Sequence, residues 1–117
     1  MNTETSCLFC KIAAREIPAD VVRASDRLLA FRDTNPQAPT HILIIPKEHI
    51  GSIAEIEERH GGLLADVAQA ATQLARAEGI DESGWRLVTN VGPDAGQSVF
   101  HLHFHLLGGR GMGWPPG

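Results

Sequence analysis

The stretch His101-Leu102-His103-Phe104-His105-Leu106-Leu107 alternates imidazole and apolar side chains with a period of two. In a β-strand successive side chains point to opposite faces, so His101, His103 and His105 share one face while Leu102, Phe104 and Leu106 share the other. The apolar set suits a core. Three imidazoles in a row carry nitrogens that need partners wherever they are buried, so their face reads as a site of chemistry; the plain alternative is a solvated strand face. Residues i and i+2 stand about 6.6 to 7 Å apart along a strand, which makes one ion held by all three awkward, although any of them can join ligands from elsewhere.

The segments around this strand follow from local signals. Trp85-Arg-Leu-Val-Thr-Asn90 has strand character, Gly92-Pro-Asp-Ala-Gly-Gln-Ser98 is a glycine-bearing loop, and the last strand is expected over Val99 to Leu107. A helix is predicted from about Gly61 to Glu78, because Leu63, Leu64, Val67, Ala71, Leu74 and Ala75 recur on one helical face, with Gly79 as its stop. His60, just before it, reads as a surface residue. Thr40-His-Ile-Leu-Ile-Ile-Pro46 is apolar on both faces, as a central buried strand should be. The proline-bearing segment Asp33 to Pro39 is loop, and Val21-Val22 with Leu28 to Phe31 form a hairpin about Ser25-Asp26-Arg27. A short helix is expected from Cys7 to about Ala14, capped by Thr5 or Ser6 and ended by Glu16-Ile17-Pro18. The order implies an α+β chain with a mostly antiparallel sheet of about five strands, one long helix and one or two short ones.

A length of 117 residues with 43% hydrophobic and 21% charged content suits one globular domain, residues 1–117. The net charge is −4 and the ten Lys and Arg residues are scattered, so no electrostatic footprint for nucleic acid is expected. The longest aliphatic run, Ile42 to Ile45, is far too short to span a membrane, and the first residues lack the features of a secretory signal, so a cytoplasmic location is expected. Cys7 and Cys10, three apart, read in a reducing compartment as a metal or redox pair before a disulfide; two inert buried thiols are the third possibility.

The histidine segment resembles the signature of the histidine triad (HIT) family, and the flanking Gly96-Gln97-Ser98-Val99-Phe100 and Gly108-Gly109-Arg110 are similar to its Hint branch. Phe31-Arg32-Asp33, Pro36-Gln-Ala-Pro-Thr-His41, Ile45-Pro-Lys-Glu-His49 and Trp114-Pro-Pro-Gly117 resemble segments of that branch in the same order, so the likeness spans essentially the whole chain. It implies a HIT-like fold, a homodimer whose sheets join into one, and a tail, 108–117, lying near the active site.

The resemblance also implies an activity. His103 would attack the α-phosphorus of a purine nucleoside phosphoramidate or adenylate and form a nucleotidyl-histidine that water hydrolyses. His105 would serve the leaving group, with His41 and Ser98 completing the catalytic set. Residues matching Asn90, Gly96, Gln97 and Ser98 surround phosphate in the family, Asp33 would hold the ribose hydroxyls, and Leu8, Phe9, Ile12 and Phe31 would wall the purine pocket. Read alone, Asp33 is a strand-ending loop residue, the apolar four are core, and His41 is a satisfied buried histidine. Two other functions stay open: a dinucleoside polyphosphate hydrolase, and a non-catalytic nucleotide-binding module. Some bacterial members carry a cysteine pair, which here implies a structural zinc on Cys7, Cys10, His49 and His101. Such a metal is expected to staple the N-terminal segment, its removal lowering the melting temperature with the chemical step largely intact.

Overall fold

The computed structural model describes residues 6–117 and contains a five-stranded antiparallel sheet in the order β1-β2-β3-β5-β4. The elements are α1 (Leu8–Ala13), β1 (Val21–Ala24), β2 (Leu28–Arg32), β3 (Thr40–Pro46), α2 (Gly61–Ala77), β4 (Trp85–Val88) and β5 (Phe104–Gly108), with 3-10 turns at Ile53–Glu55 and Glu58–His60. Thr40–Pro46 and the long helix stand within a residue of their expected places. Among the described residues no helix is long and apolar enough to cross a membrane.

Alternation along the strands divides the apolar side chains between two layers. Leu28, Ala30, Ile42, Ile44, Phe104 and Leu106 pack with Leu63, Val67, Ala70, Ala71 and Leu74 of α2 on one side of the sheet. Leu29, Phe31, Leu43 and Ile45 meet Phe9 and Ile12 of α1 on the other. Both faces of β2 and β3 are therefore apolar, which accounts for the unbroken burial of β3. Leu64 is only half-buried, whereas Ala70 is buried, so the buried stripe of α2 is turned slightly from the expected one. Arg32 pairs with Glu78 through two bonds of 2.8 and 3.0 Å, tying the end of α2 to β2, and Thr40 Oγ1 also reaches Glu78.

Three expectations need correction. The last strand begins at Phe104, not Val99. Upstream of it the backbone finds partners outside the sheet ladder: Leu102 N–H donates to Ile50 O at 2.6 Å, and His103 O accepts from Thr89 Oγ1 at 2.8 Å. The alternation survives this irregularity, since Leu102 joins the same core as Phe104 and Leu106. The cap of α1 is Cys7, whose sulfur accepts from Cys10 N–H at 3.4 Å; Ser6 lies in a turn before it, and Thr5 falls outside the described residues. His60 is buried, because its Nδ1 accepts from Glu57 N–H at 2.9 Å and closes a capping box ahead of α2.

Candidate active site

The histidine face of the chain entering β5, the loop after β2 and the inner face of α1 enclose a cavity of about 640 Å³. His103 and His105 line it, together with Asp33, Ser98, Leu8, Phe9, Ile12 and Phe31. Phe9 packs edge-on to Phe31 and to His103, with ring centroids 5.7 and 5.0 Å apart. Eight lining residues were not anticipated as part of the site: Ile17, Pro18, Ala19, Asp20, Arg32, Thr34, Leu43 and Val99. Leu43 was legible in principle, being two residues beyond His41 on the same face of β3. The Ile17–Ala19 segment carries no periodic signal and is placed only by the chain reversal after α1.

Asn90, Gly96 and Gln97 do not line this cavity. Gly96 N–H donates to Pro93 O at 3.0 Å, and the positive φ of 77° explains a glycine there. The Gln97 amide is wholly engaged with the backbone, donating to Gly51 O and Val99 O and accepting from Gly92 N–H. It holds the loop that presents Ser98.

Hydrogen-bond partners assign the imidazole tautomers. Nδ1–H of His103 donates to His101 O at 2.6 Å, so its Nε2 keeps a lone pair. Gln37 N–H donates to His41 Nδ1 at 3.0 Å, which places the His41 proton on Nε2. That Nε2–H faces His105 Nδ1 at 2.9 Å and Asp33 Oδ2 at 3.5 Å. His105 then carries its own proton on Nε2. A relay of defined direction thus runs from a backbone amide through His41 to His105.

Two groups of side chains have ligand atoms within 4.8 Å of one another: Cys7, Cys10, His49 and His101, and Asp33, His41 and His105. In the first, Cys7 Sγ lies 3.4 Å from His101 Nδ1, while Cys10 Sγ lies 3.5 Å from His101 Nδ1 and 3.3 Å from His49 Nδ1. A tetrahedral zinc with ordinary bond lengths separates sulfur from nitrogen by about 3.6 Å, close to these values. His101 Nε2–H donates to Pro46 O at 2.8 Å, which turns the Nδ1 lone pair toward the sulfurs, as a metal-binding imidazole requires. The donor set fits zinc. The second group does not suit a metal, because the Gln37 amide occupies the His41 Nδ1 lone pair and leaves a proton on the nitrogen that would have to bind the ion.

Burial pushes His101 and His105 down to about 4 from 6.5, with neighbouring imidazoles adding to the fall, and burial also lowers His41 against the pull of Asp33. Groups held neutral below their unfolded pKa bind fewer protons folded than unfolded. Their contribution is complete above pH 6.5 and is lost as pH falls from 6.5 toward about 4. The melting temperature should therefore drop between neutrality and about pH 5. Acid also releases metal, so the comparison is with His105→Gln, which keeps the cysteine cluster and should show a shallower drop. Equal melting of the wild type across that range would contradict neutral buried histidines.

Alternating histidines leading into the last strand of the antiparallel sheet, opening on a cavity with an apolar wall and the carboxylates of Asp20 and Asp33, define a histidine triad protein. The chain belongs to that family, whose HIT domain matches residues 14–112. It is 52% identical over 116 residues to a 14 kDa zinc-binding protein of Zea mays, covering 97% of this chain and 90% of the relative. It is 47% identical over 106 residues to the purine nucleoside phosphoramidase of Escherichia coli strain K12, covering 91% and 89%. The crystal structure of a HIT family hydrolase from Legionella pneumophila Philadelphia 1 superposes with a TM-score of 0.94 at 57% identity, covering 96% of this chain and all of that one.

Proposed function

We propose that this protein is a nucleotide hydrolase that cleaves purine nucleoside phosphoramidates or adenylates at the α-phosphate through a nucleotidyl-His103 intermediate. The observation that carries the reading is the 2.6 Å bond from His103 Nδ1–H to His101 O, which leaves Nε2 as the nucleophilic nitrogen of a ring lining the cavity. Attack by Nε2 forms a P–N bond to His103 and breaks the bond from phosphorus to the leaving amine or oxygen, which takes a proton from His105. His105 starts neutral in its buried setting; the negative charge of a bound phosphate favours its protonated form. Water then attacks the phosphorus, returns a proton to His105 and releases the nucleoside monophosphate. Purine nucleoside phosphoramidase activity in the E. coli relative supports this substrate class.

In this reading Asp33 takes the ribose hydroxyls, Leu8, Phe9, Ile12 and Phe31 hold the base, and Ser98 contacts phosphate on a loop set by Gln97, with Asn90 and Gly96 outside the cavity wall. Asp33 is already organised for this, one oxygen accepting from Asn35 N–H at 2.7 Å. Cys7, Cys10, His49 and His101 would hold a structural zinc, and the name of the maize relative agrees. The protein would act in the cytoplasm as a homodimer, pairing at an edge such as β4, which leaves backbone groups unpaired in one subunit. Intact mass of protein quenched in alkaline denaturant, where a phosphorus–nitrogen bond to imidazole survives, should show a nucleotidyl adduct located on His103. An unmodified chain during steady turnover would overturn the covalent route.

The tail bears on the leaving group. Trp114 is 84% exposed, and beyond β5 the segment is held by Arg86 to Gly113 O at 2.6 Å and by Arg110 to Gln37 O at 2.9 Å. Deleting 112–117 should change the ranking of leaving groups in kcat/KM while shifting the melting temperature little, since scarcely any apolar surface is lost. An unfolded product would contradict this.

A further inference from the structure

Three contacts hold the His103 ring; one is the His105 ring, edge-on with centroids 5.1 Å apart, and the other two lead into the cluster of Cys7, Cys10, His49 and His101. Its Nδ1–H donates to the carbonyl of His101, the residue whose own ring stands 3.4 and 3.5 Å from the two sulfurs. Its other edge-on partner is Phe9, with centroids 5.0 Å apart and planes at 85°, and Phe9 lies on α1 between Cys7 and Cys10. Phe9 also meets the His101 ring, at 6.0 Å. His101 is anchored on its far side by Pro46 O. Two of the three supports of the nucleophile are thus set by the donor residues of a single S2N2 site, His101 directly and Phe9 through its place between Cys7 and Cys10.

We infer that an ion in this cluster positions the nucleophile. By joining Cys7 and Cys10 to His101, it sets the His101 carbonyl and Phe9 against His103, which keeps Nδ1 protonated and Nε2 directed at phosphorus. This rests on the nucleotidyl-transfer reading of His103, and it departs from the expectation that the metal is only a staple. The physical reason is the weakness of the alternative supports. A six-residue helix such as α1 is unstable by itself, and thiol-to-imidazole hydrogen bonds replace metal–ligand bonds poorly. With α1 loosened, Phe9 leaves its place and the His103 ring gains other rotamers and the other tautomer. In-line attack tolerates little of this, since a misplacement of about 1 Å can lower a rate roughly 100-fold.

The test uses the full-length protein in three forms at one near-neutral pH: zinc-loaded, stripped by a chelator, and reloaded with cobalt(II), whose visible spectrum reports tetrahedral sulfur and nitrogen coordination. Long-range proton–nitrogen NMR reads the His103 tautomer, and AMP binding is measured beside kcat. The loaded forms should show a single Nδ1–H tautomer. The stripped form should show an averaged ring and a kcat about tenfold lower, with AMP affinity little changed, and cobalt should restore both readouts. His49→Ala, which removes a ligand outside the nucleotide cavity, should reproduce the stripped signature. A stripped protein that keeps one His103 tautomer and full kcat overturns the proposal. So does a chain that takes up no metal, which metal analysis reveals. Failure of the proposed function has a different signature: no nucleotide turnover in a loaded protein whose His103 tautomer is intact.

Discussion

His103→Ala is expected to lower turnover of an adenosine phosphoramidate by roughly a thousandfold or more, because no other group at the site can form the covalent intermediate. His105, the nearest imidazole, has its Nδ1 bonded to His41 and its Nε2 protonated, so it offers no lone pair to phosphorus. The fold should persist, since His103 meets the apolar layers at the edge of Phe9, whose own packing on Phe31 remains. His103→Asn is the sharper companion. Its side-chain amide can still donate to His101 O, which retains the local hydrogen bond while removing the nucleophilic nitrogen. Both variants should melt near the wild type and bind AMP. Turnover within a few-fold of wild type in either would remove His103 from the reaction and favour a binding module whose chemistry lies elsewhere.

Loss of the metal is expected to produce the largest change in stability. An ion present at about a thousand times its dissociation constant adds about 4 kcal/mol to the folded state, which for a chain of this length corresponds to roughly 15 °C in melting temperature. The ligands come from three separate parts of the chain: α1, the segment after β3, and the approach to β5. Binding therefore ties α1 to the catalytic segment, and that energy becomes folding energy. Cys7→Ser/Cys10→Ser should melt far below the zinc-loaded wild type and should not respond to a chelator. Zinc well below one equivalent per chain in untagged protein, together with unchanged melting of the double variant, would remove the metal from the account.

Most of the fold was legible because its elements obey strong local rules. Thr40–Pro46 is a run of β-branched and aliphatic residues between loop signals, and the three-four spacing of α2 ends on Gly79, whose φ of 73° suits a glycine. The errors fall on two kinds of partner, backbone groups far along the chain and short-range side-chain caps. Val99 to His103 has the composition of a strand, yet its backbone bonds to Ile50 and Thr89, which no local pattern announces. His60 looked like a surface residue because a polar residue ahead of a helix usually is one; a reciprocal cap with Glu57 buries it.

The order of segments from Phe31 to the closing Trp-Pro-Pro-Gly pointed by itself to the family, and the period of two placed His101, His103 and His105 on one face. Those features depend only on the alternation of side chains along an extended chain, which any strand imposes. What separates the three histidines is tertiary. Pro46 O turns the ring of His101 to the sulfurs, His101 O turns that of His103 to the cavity, and the Gln37 amide, acting through His41, orients that of His105. A neutral imidazole has two tautomers of similar energy, so the choice among ligand, nucleophile and proton donor is made by partners distant in the chain or on the backbone.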